Sequence, residues 1–359
     1  MTATRIFVTD CEGPVSRNDN AMELAARFIP WGAELFARLS RYDDFLADVE
    51  HRPGYNAGDT LRLIAPFFVA FGLTDADVQA FSAANVLLVP GAAEALREIA
   101  GLVPSFIIST SYTPYIRALC EVVGFDFAHC RCTELSLDAW RREMGDDEKL
   151  WLRDQVQQVM ARPVIEIPDG AVSRHDLTRD DSITVGLLDQ LFWFDMDDLR
   201  KRISGRILQA VRPVGGRLKL AALEEIVTAT GVDHHQVMYV GDSITDAPPF
   251  AAVREWGGVS LSFNGNRYAL GAAEYAAAAA DAAPILELAR AFATGGHPAV
   301  ESAVRDWVID HPPPKPASEE YAAAPLPRVG RVDEAGDGLA EASAWARAHV
   351  RGEPVARLG

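Results

Sequence analysis

Short apolar runs alternate along the chain with longer stretches whose apolar residues recur every three or four positions. The runs Arg5–Thr9 ("RIFVT"), Ser105–Ser109 ("SFIIS"), Gln236–Val240 ("QVMYV") and the weaker Gly258–Phe263 ("GVSLSF") are bounded by turn residues and read as buried strands. Between them, "GAAEALREIAG" after Pro90, "TPYIRALCEVVG" after Tyr112 and "KLAALEEIVTATG" from Lys219 carry helical periodicity. Strand and helix alternating at this spacing predict an α/β fold, a Rossmann-like doubly wound parallel sheet with crossover helices on both faces. The run Ala276–Ala280 is ambiguous. Propensity favours a helix, while its place after the fourth strand suits a short final strand.

Two long segments interrupt the alternation. Residues 18–90 are mostly helical in pattern ("NAMELAARFIPWGAELFARLSRYDDFLADV", "TLRLIAPFFVAFG", "DADVQAFSAAN"), and so are residues 135–205 ("DDEKLWLRDQVQQVMARP", "TVGLLDQLFWFDMDDLRKRI"). Both read as modules inserted into a core made of residues 1–17, 91–134 and 206–296. From residue 297 to 359 the chain reads as a Pro/Ala-rich linker and tail, with a short helix near Ala340–Val350.

Composition narrows the setting. Hydrophobic residues make up 49% of 359, enough for a large core, and no window approaches twenty uninterrupted apolar positions. With no signal-peptide pattern at the start, the expectation is a soluble cytoplasmic protein. A net charge of −17 repels nucleic acid and anionic membrane surfaces, so neither is an expected partner; a homo-oligomer is left open. An anionic substrate would need a site that reverses the sign locally. The four cysteines are too few for a disulfide scaffold. His129-Cys130-Arg131-Cys132 has the look of half a zinc site, but no second Cys/His pair follows, and buried packing is the favoured reading.

The chemistry sits where strands end, which is where open α/β sheets bind ligands. Asp10 and Glu12 follow the first strand, Ser109 and Thr110 the second, and Asp242 and Asp246 the third, while Lys219 opens a helix after "PVGG". Each also has a purely structural reading: Asp10 as a turn residue, Ser109 as a helix cap, Ser243 with Asp246 as a capping box, Lys219 as a solvated helix residue. As a set they form a coherent phosphoryl-transfer apparatus. A strand-end carboxylate, Asp10, can attack phosphorus and form an aspartyl-phosphate. Asp10, Asp242 and Asp246 can supply oxygens to a magnesium ion that offsets the repulsion between carboxylate and phosphate. The hydroxyl and amides at Ser109 and Thr110, with the Lys219 ammonium, can hold the non-bridging oxygens. Glu12 can protonate the departing alkoxide and later deprotonate water.

This set resembles the haloacid dehalogenase (HAD) superfamily, whose four motifs match Asp10/Glu12, Ser109, Lys219 and Asp242/Asp246 in order. The resemblance covers about residues 5–16, 91–134 and 210–290. The wording "VTDCEGP…NDNA", "SRYDDFLADV", "RPGYNAGDTL", "IISTSY" and "FNGNRYAL" further resembles a branch named for energy-converting hydrogenase A subunit R. The resemblance implies a magnesium-dependent phosphatase of a small phosphorylated metabolite, with Asp10, Glu12, Asp242 and Asp246 at the metal. It also implies a C1-type cap at 18–90 and a second insertion at the C2 position, 135–205. Where most such phosphatases carry Asp, this chain has Glu12, as enolase-phosphatases do, and the extra methylene moves the acid by roughly 1.5 Å. Arg41, Tyr42, His51 and Arg52 in the first insertion, and Arg217 near Lys219, are candidate substrate contacts. The rival readings are a phosphomutase using the same residues, and a non-catalytic subunit or assembly factor built on the same fold.

Overall fold

The run Ile6–Thr9 forms β1, an interior strand of a seven-stranded sheet in a computed structural model that describes residues 5–193, 201–310, 327–335 and 337–352. The other strands are β2 (Ser105–Tyr112), β3 (Cys130–Thr133), β4 (Val237–Gly241), β5 (Val259–Phe263), β6 (Tyr275–Ala278) and β7 (Arg328–Arg331). Their order is β3-β2-β1-β4-β5-β6-β7, with only β7 antiparallel to its neighbour. The chain therefore winds outward from β1 in one direction and from β4 in the other. Their shared carboxyl ends are the topological switch point, where such sheets leave a crevice.

All residues of β1, β4, β5 and β6 are buried, as expected for strands covered by helices on both faces. The ambiguous alanine run is strand, because pairing with β5 and β7 outweighs intrinsic propensity. The hydrophobic pattern did not mark β3, whose four residues "CRCT" are too short an alternation to stand out. Cys130 packs its thiol 3.5 Å from that of Cys120. Beyond His297, residues read from composition as linker continue as helix to Asp310, after a kink at Gly296 that leaves Pro298 near a helix start. The "PPPKPASEEYAAAPL" stretch (312–326) and residues 194–200 of the second insertion lie outside the described residues.

The two insertions share one hydrophobic core. Leu39, Phe45, Ile64 and Phe68 from the first cluster with Leu152, Val156, Val185 and Leu188 from the second, joined by Ile207 just beyond it. Around them lie the helices Asn20–Phe28, Gly32–Asp44, Thr60–Ala70, Asp146–Met160, Arg179–Phe192 and Ile203–Ala210. Segments separated by two core strands thus fold as one helical body over the sheet's carboxyl edge. No helix among the described residues is long and apolar enough to cross a membrane.

Candidate active site

Four of the singled-out residues meet in one buried cluster. Asp10 leaves β1 with its backbone N–H bonded to the Val240 carbonyl, which ties it to the end of β4. Asp242 follows β4 directly, and Asp246 lies in the single 3-10 turn Ile244–Asp246 behind it. Lys219 comes from the first turns of the helix Gly216–Thr230 and is completely buried. Its Nζ donates to Asp10 Oδ2 at 2.6 Å and to Asp246 Oδ1 at 2.7 Å.

Glycines permit this convergence. A side chain at Gly215 would meet the Ala57 carbonyl at 2.3 Å, so its absence lets the cap loop approach the start of the lysine's helix. Asn56 secures that approach, with its amide donating to the Gly215 carbonyl and its Oδ1 accepting from the Arg217 N–H at 2.9 Å. Gly13, at φ +97°, is tighter still. A Cβ there would lie 2.3 Å from the Asp242 carboxylate. Gly13→Ala is expected to displace Asp242 and weaken manganese binding about tenfold or more, measured by titrating the ion into both proteins.

Asp10, Asp242 and Asp246 each offer an oxygen within 4.8 Å of the others, and this is the group among the described residues with the makings of a metal site. The donors are hard oxygens, which suit a hard divalent cation. Asp246 is the most committed of the three: Oδ1 also accepts from Tyr239 at 2.8 Å, and Oδ2 accepts from the N–H groups of Asp242 and Ser243 at 3.0 and 3.1 Å. Its main effect is to hold Lys219 and the turn in place. Asp10 accepts the Cys11 N–H on Oδ1. Burial raises its carboxyl to about 7, with Lys219 opposing the rise and the charges of Asp246 and Asp242 adding to it.

Glu12 stands apart from the three carboxylates of the metal group and accepts the Asn20 N–H at 3.2 Å. Burial, then the charge of Asp19, pushes its carboxyl well above the usual range, against the pull of Arg351 and Ser111. A carboxyl whose surroundings favour the protonated form is shifted in the direction a general acid requires. Strand β2 runs on through Tyr112, so Ser109 and Thr110 lie within it rather than after it. Ser109 is fully buried and its hydroxyl accepts the Ser111 N–H at 3.2 Å. Thr110 reaches the cavity wall, its hydroxyl donating to the Val214 carbonyl.

A cavity opens above the cluster, walled by Asp10, Glu12, Asp19, Thr110 and Asp242 below and by Ser40, Asp43, Asp44 and Thr60 of the first insertion's helices. The structure does not bring Arg41, Tyr42, Arg52 or Arg217 to it. Tyr42 is buried in the cap, donating to Asp189 at 2.6 Å and accepting from Trp193. Arg52 pairs with Glu50 and Asp189, and Arg41 with Asp44. Arg217 and His51 line a separate cavity beside the cap loop. Arg52 lines that second cavity too, while Arg41, Tyr42 and Arg52 are all bonded to carboxylates of the two insertions, an outcome that residue type alone does not reveal.

Asp43 gives the first insertion a pH response. Burial, reinforced by the Asp59 charge, raises its carboxyl to about 7, although Gly58 N–H and Thr60 Oγ1 both donate to it. In the unfolded chain the group titrates near 3.9. Between those values the folded state binds more protons, so this residue's contribution to stability falls as pH rises through the window. Asp43→Asn keeps the acceptor and removes the charge. Its stability relative to wild type is therefore expected to rise between pH 5 and pH 8, on the order of 2 kcal/mol, read from urea denaturation at both pH values.

Two participants come from the tail, unannounced by any motif. Arg347 and Arg351, on the helix Asp337–Arg351, both donate to Asp242 Oδ2, Arg351 at 2.7 Å. The only hint in the sequence is their spacing of four, which places them on one helix face.

Neither a protein-family model nor a curated protein matches the chain. Among solved structures, a gene product of Archaeoglobus fulgidus matches with a TM-score of 0.80 and 27% identity, over 99% of each chain. Phosphoserine phosphatase structures, in the apo form and with substrate bound, match with TM-scores of 0.46 and 0.47. Those two are 13% and 14% identical, over 79% and 80% of this chain and 98% and 99% of theirs. That likeness is too loose to bear on activity, and none of the matches singles out the hydrogenase-subunit branch.

Proposed function

We propose that the protein is a magnesium-dependent phosphatase of the HAD type, hydrolysing a small phosphorylated metabolite through an aspartyl-phosphate on Asp10. The observation that carries this reading is the Lys219 ammonium buried between Asp10 and Asp246, with Asp242 beside them. Three carboxylates and an amine drawn from distant parts of the chain are costly to desolvate together. A fold has little reason to gather them at a sheet's ligand-binding edge unless the charges are used.

Asp10 would attack phosphorus while the bond to the leaving oxygen breaks and Glu12 delivers its proton to that oxygen. Glu12, now ionised, would take a proton from water as the water attacks the acyl phosphate, releasing inorganic phosphate and restoring both carboxyls. Lys219 holds Asp10 in place and balances charge on the phosphoryl oxygens. A magnesium ion, held by Asp10 and Asp242 with Asp246 behind them, would supply further neutralisation of that charge. The cap residues above the cavity would exclude water and contact the leaving group.

The test is a panel of small phosphomonoesters with and without magnesium, with phosphate release measured. Turnover that requires the ion is expected for at least one ester. Absence of release across sugar, amino-acid, nucleotide and p-nitrophenyl phosphates would overturn the reading.

A further inference from the structure

The cavity above Asp10 presents six carboxylates, from Asp10, Glu12, Asp19, Asp43, Asp44 and Asp242. Arg347 and Arg351 are the only cationic side chains that line it among the described residues. Both come from the C-terminal helix, and their placement follows from the alanine run. Ala276 and Ala278 of β6 pack against Leu339, Ala342 and Ala346, and side chains this small let the helix lie close on the sheet. Ser343 fixes the register by donating to the Gly265 carbonyl at 2.8 Å. One turn further on, Arg347 donates to the Asp242 carbonyl oxygen and carboxylate. A turn beyond that, Arg351 donates from Nε to the Arg17 carbonyl at 3.1 Å and from Nη1 to Asp242.

Both guanidiniums are almost wholly removed from solvent, with side-chain exposures of 5% and 6%. Both converge on one carboxylate oxygen, and Arg351 also feels the charges of Glu12, Asp19 and Asp10. Arg351 spends two of its five N–H donors on the bonds just named. A divalent cation on Asp242 would draw off part of their remaining counter-charge. A dianion entering this acidic cavity has no other side-chain cation on the wall to meet it.

Resting on the phosphatase reading, we infer that Arg347 and Arg351 form a phosphate-binding pair, so that the C-terminal helix completes the active site by gripping the non-bridging oxygens of the phosphoryl group. Guanidinium is suited to this, since its planar fork matches a phosphate edge. The pair contacts substrate in this scheme but makes and breaks no covalent bond.

The experiment uses the full chain with magnesium and inorganic phosphate as the probe, followed by calorimetry. Manganese binding is measured in parallel. Arg351→Gln is expected to weaken phosphate binding about tenfold or more while manganese affinity holds or improves, because a competitor for Asp242 has gone. Arg351→Lys should fall between, with charge kept and the fork lost. Arg347→Gln should behave as Arg351→Gln. Unchanged phosphate affinity in the Gln variants overturns the inference, as does a parallel loss of phosphate and manganese binding, which would mark the arginines as structural props. Cleavage of p-nitrophenyl phosphate by the wild type separates the two ideas. Turnover with arginine-independent phosphate binding sinks the pair and spares the phosphatase, and arginine-dependent binding without turnover does the reverse.

Discussion

Lys219→Met is expected to lower the free energy of unfolding by about 3–5 kcal/mol, the usual cost of removing one partner from a buried ionic group. The lysine is completely inaccessible and bonded to two carboxylates that are themselves buried. Methionine fills a similar volume, so the loss arises from two uncompensated anions rather than from a cavity. Denaturant titration of both proteins gives the difference directly. Magnesium should then stabilise the variant more than the wild type, since a bound cation would restore counter-charge to Asp10, whereas in the wild type it adds to a cluster already neutralised in part. A loss below about 1 kcal/mol would mean that the carboxylates escape their burial by shedding charge or reaching water. The cluster would then be far more pliant than its hydrogen bonds imply.

That prediction concerns a residue legible from the sequence alone, and the reason is instructive. Asp10, Asp242 and Lys219 sit directly at the ends of elements whose hydrophobic pattern is strong, and a doubly wound sheet sends the ends of β1 and β4 to one place. Topology turned spacing into proximity. Where topology was silent, residue type misled. Arg41, Tyr42 and Arg52 look like substrate contacts until the ion pairs and the Tyr42–Asp189–Trp193 chain show them occupied inside the cap. The joining of two insertions into one core was equally invisible, because periodicity shows which face of a helix is apolar but not which other helix covers it. The tail was hardest to read. Its helix was foreseen, but β7 is only four residues long and attaches to an edge made of alanines, so nothing in its composition told that the tail would carry two arginines to Asp242.

Asp10→Asn is expected to reduce magnesium-dependent phosphate release by roughly 10⁴-fold or more, as removal of an essential nucleophile does. The substitution preserves shape, and its single amide oxygen can still accept from Lys219, with the NH2 replacing the oxygen that accepts the Cys11 N–H. The fold should therefore survive, with a stability loss well short of that for Lys219→Met, because Asp246 still faces the ammonium. What vanishes is the anionic oxygen that would form the bond to phosphorus. Glu12→Gln offers the discriminating comparison. Its amide cannot protonate a leaving group, yet an ester with a good leaving group such as p-nitrophenolate needs little protonation. The first step, read as a burst of released alcohol, should therefore fall far less for that ester than for an alkyl phosphate, while the later attack of water, which also uses Glu12, slows alike for both. If Asp10→Asn were to keep turnover while Glu12→Gln lost it equally for both esters, Glu12 and not Asp10 would be the attacking group. Glu12 lacks the lysine partner that Asp10 has, and its carboxyl holds its proton well above the usual carboxylate range, which makes it a poor nucleophile and a serviceable acid.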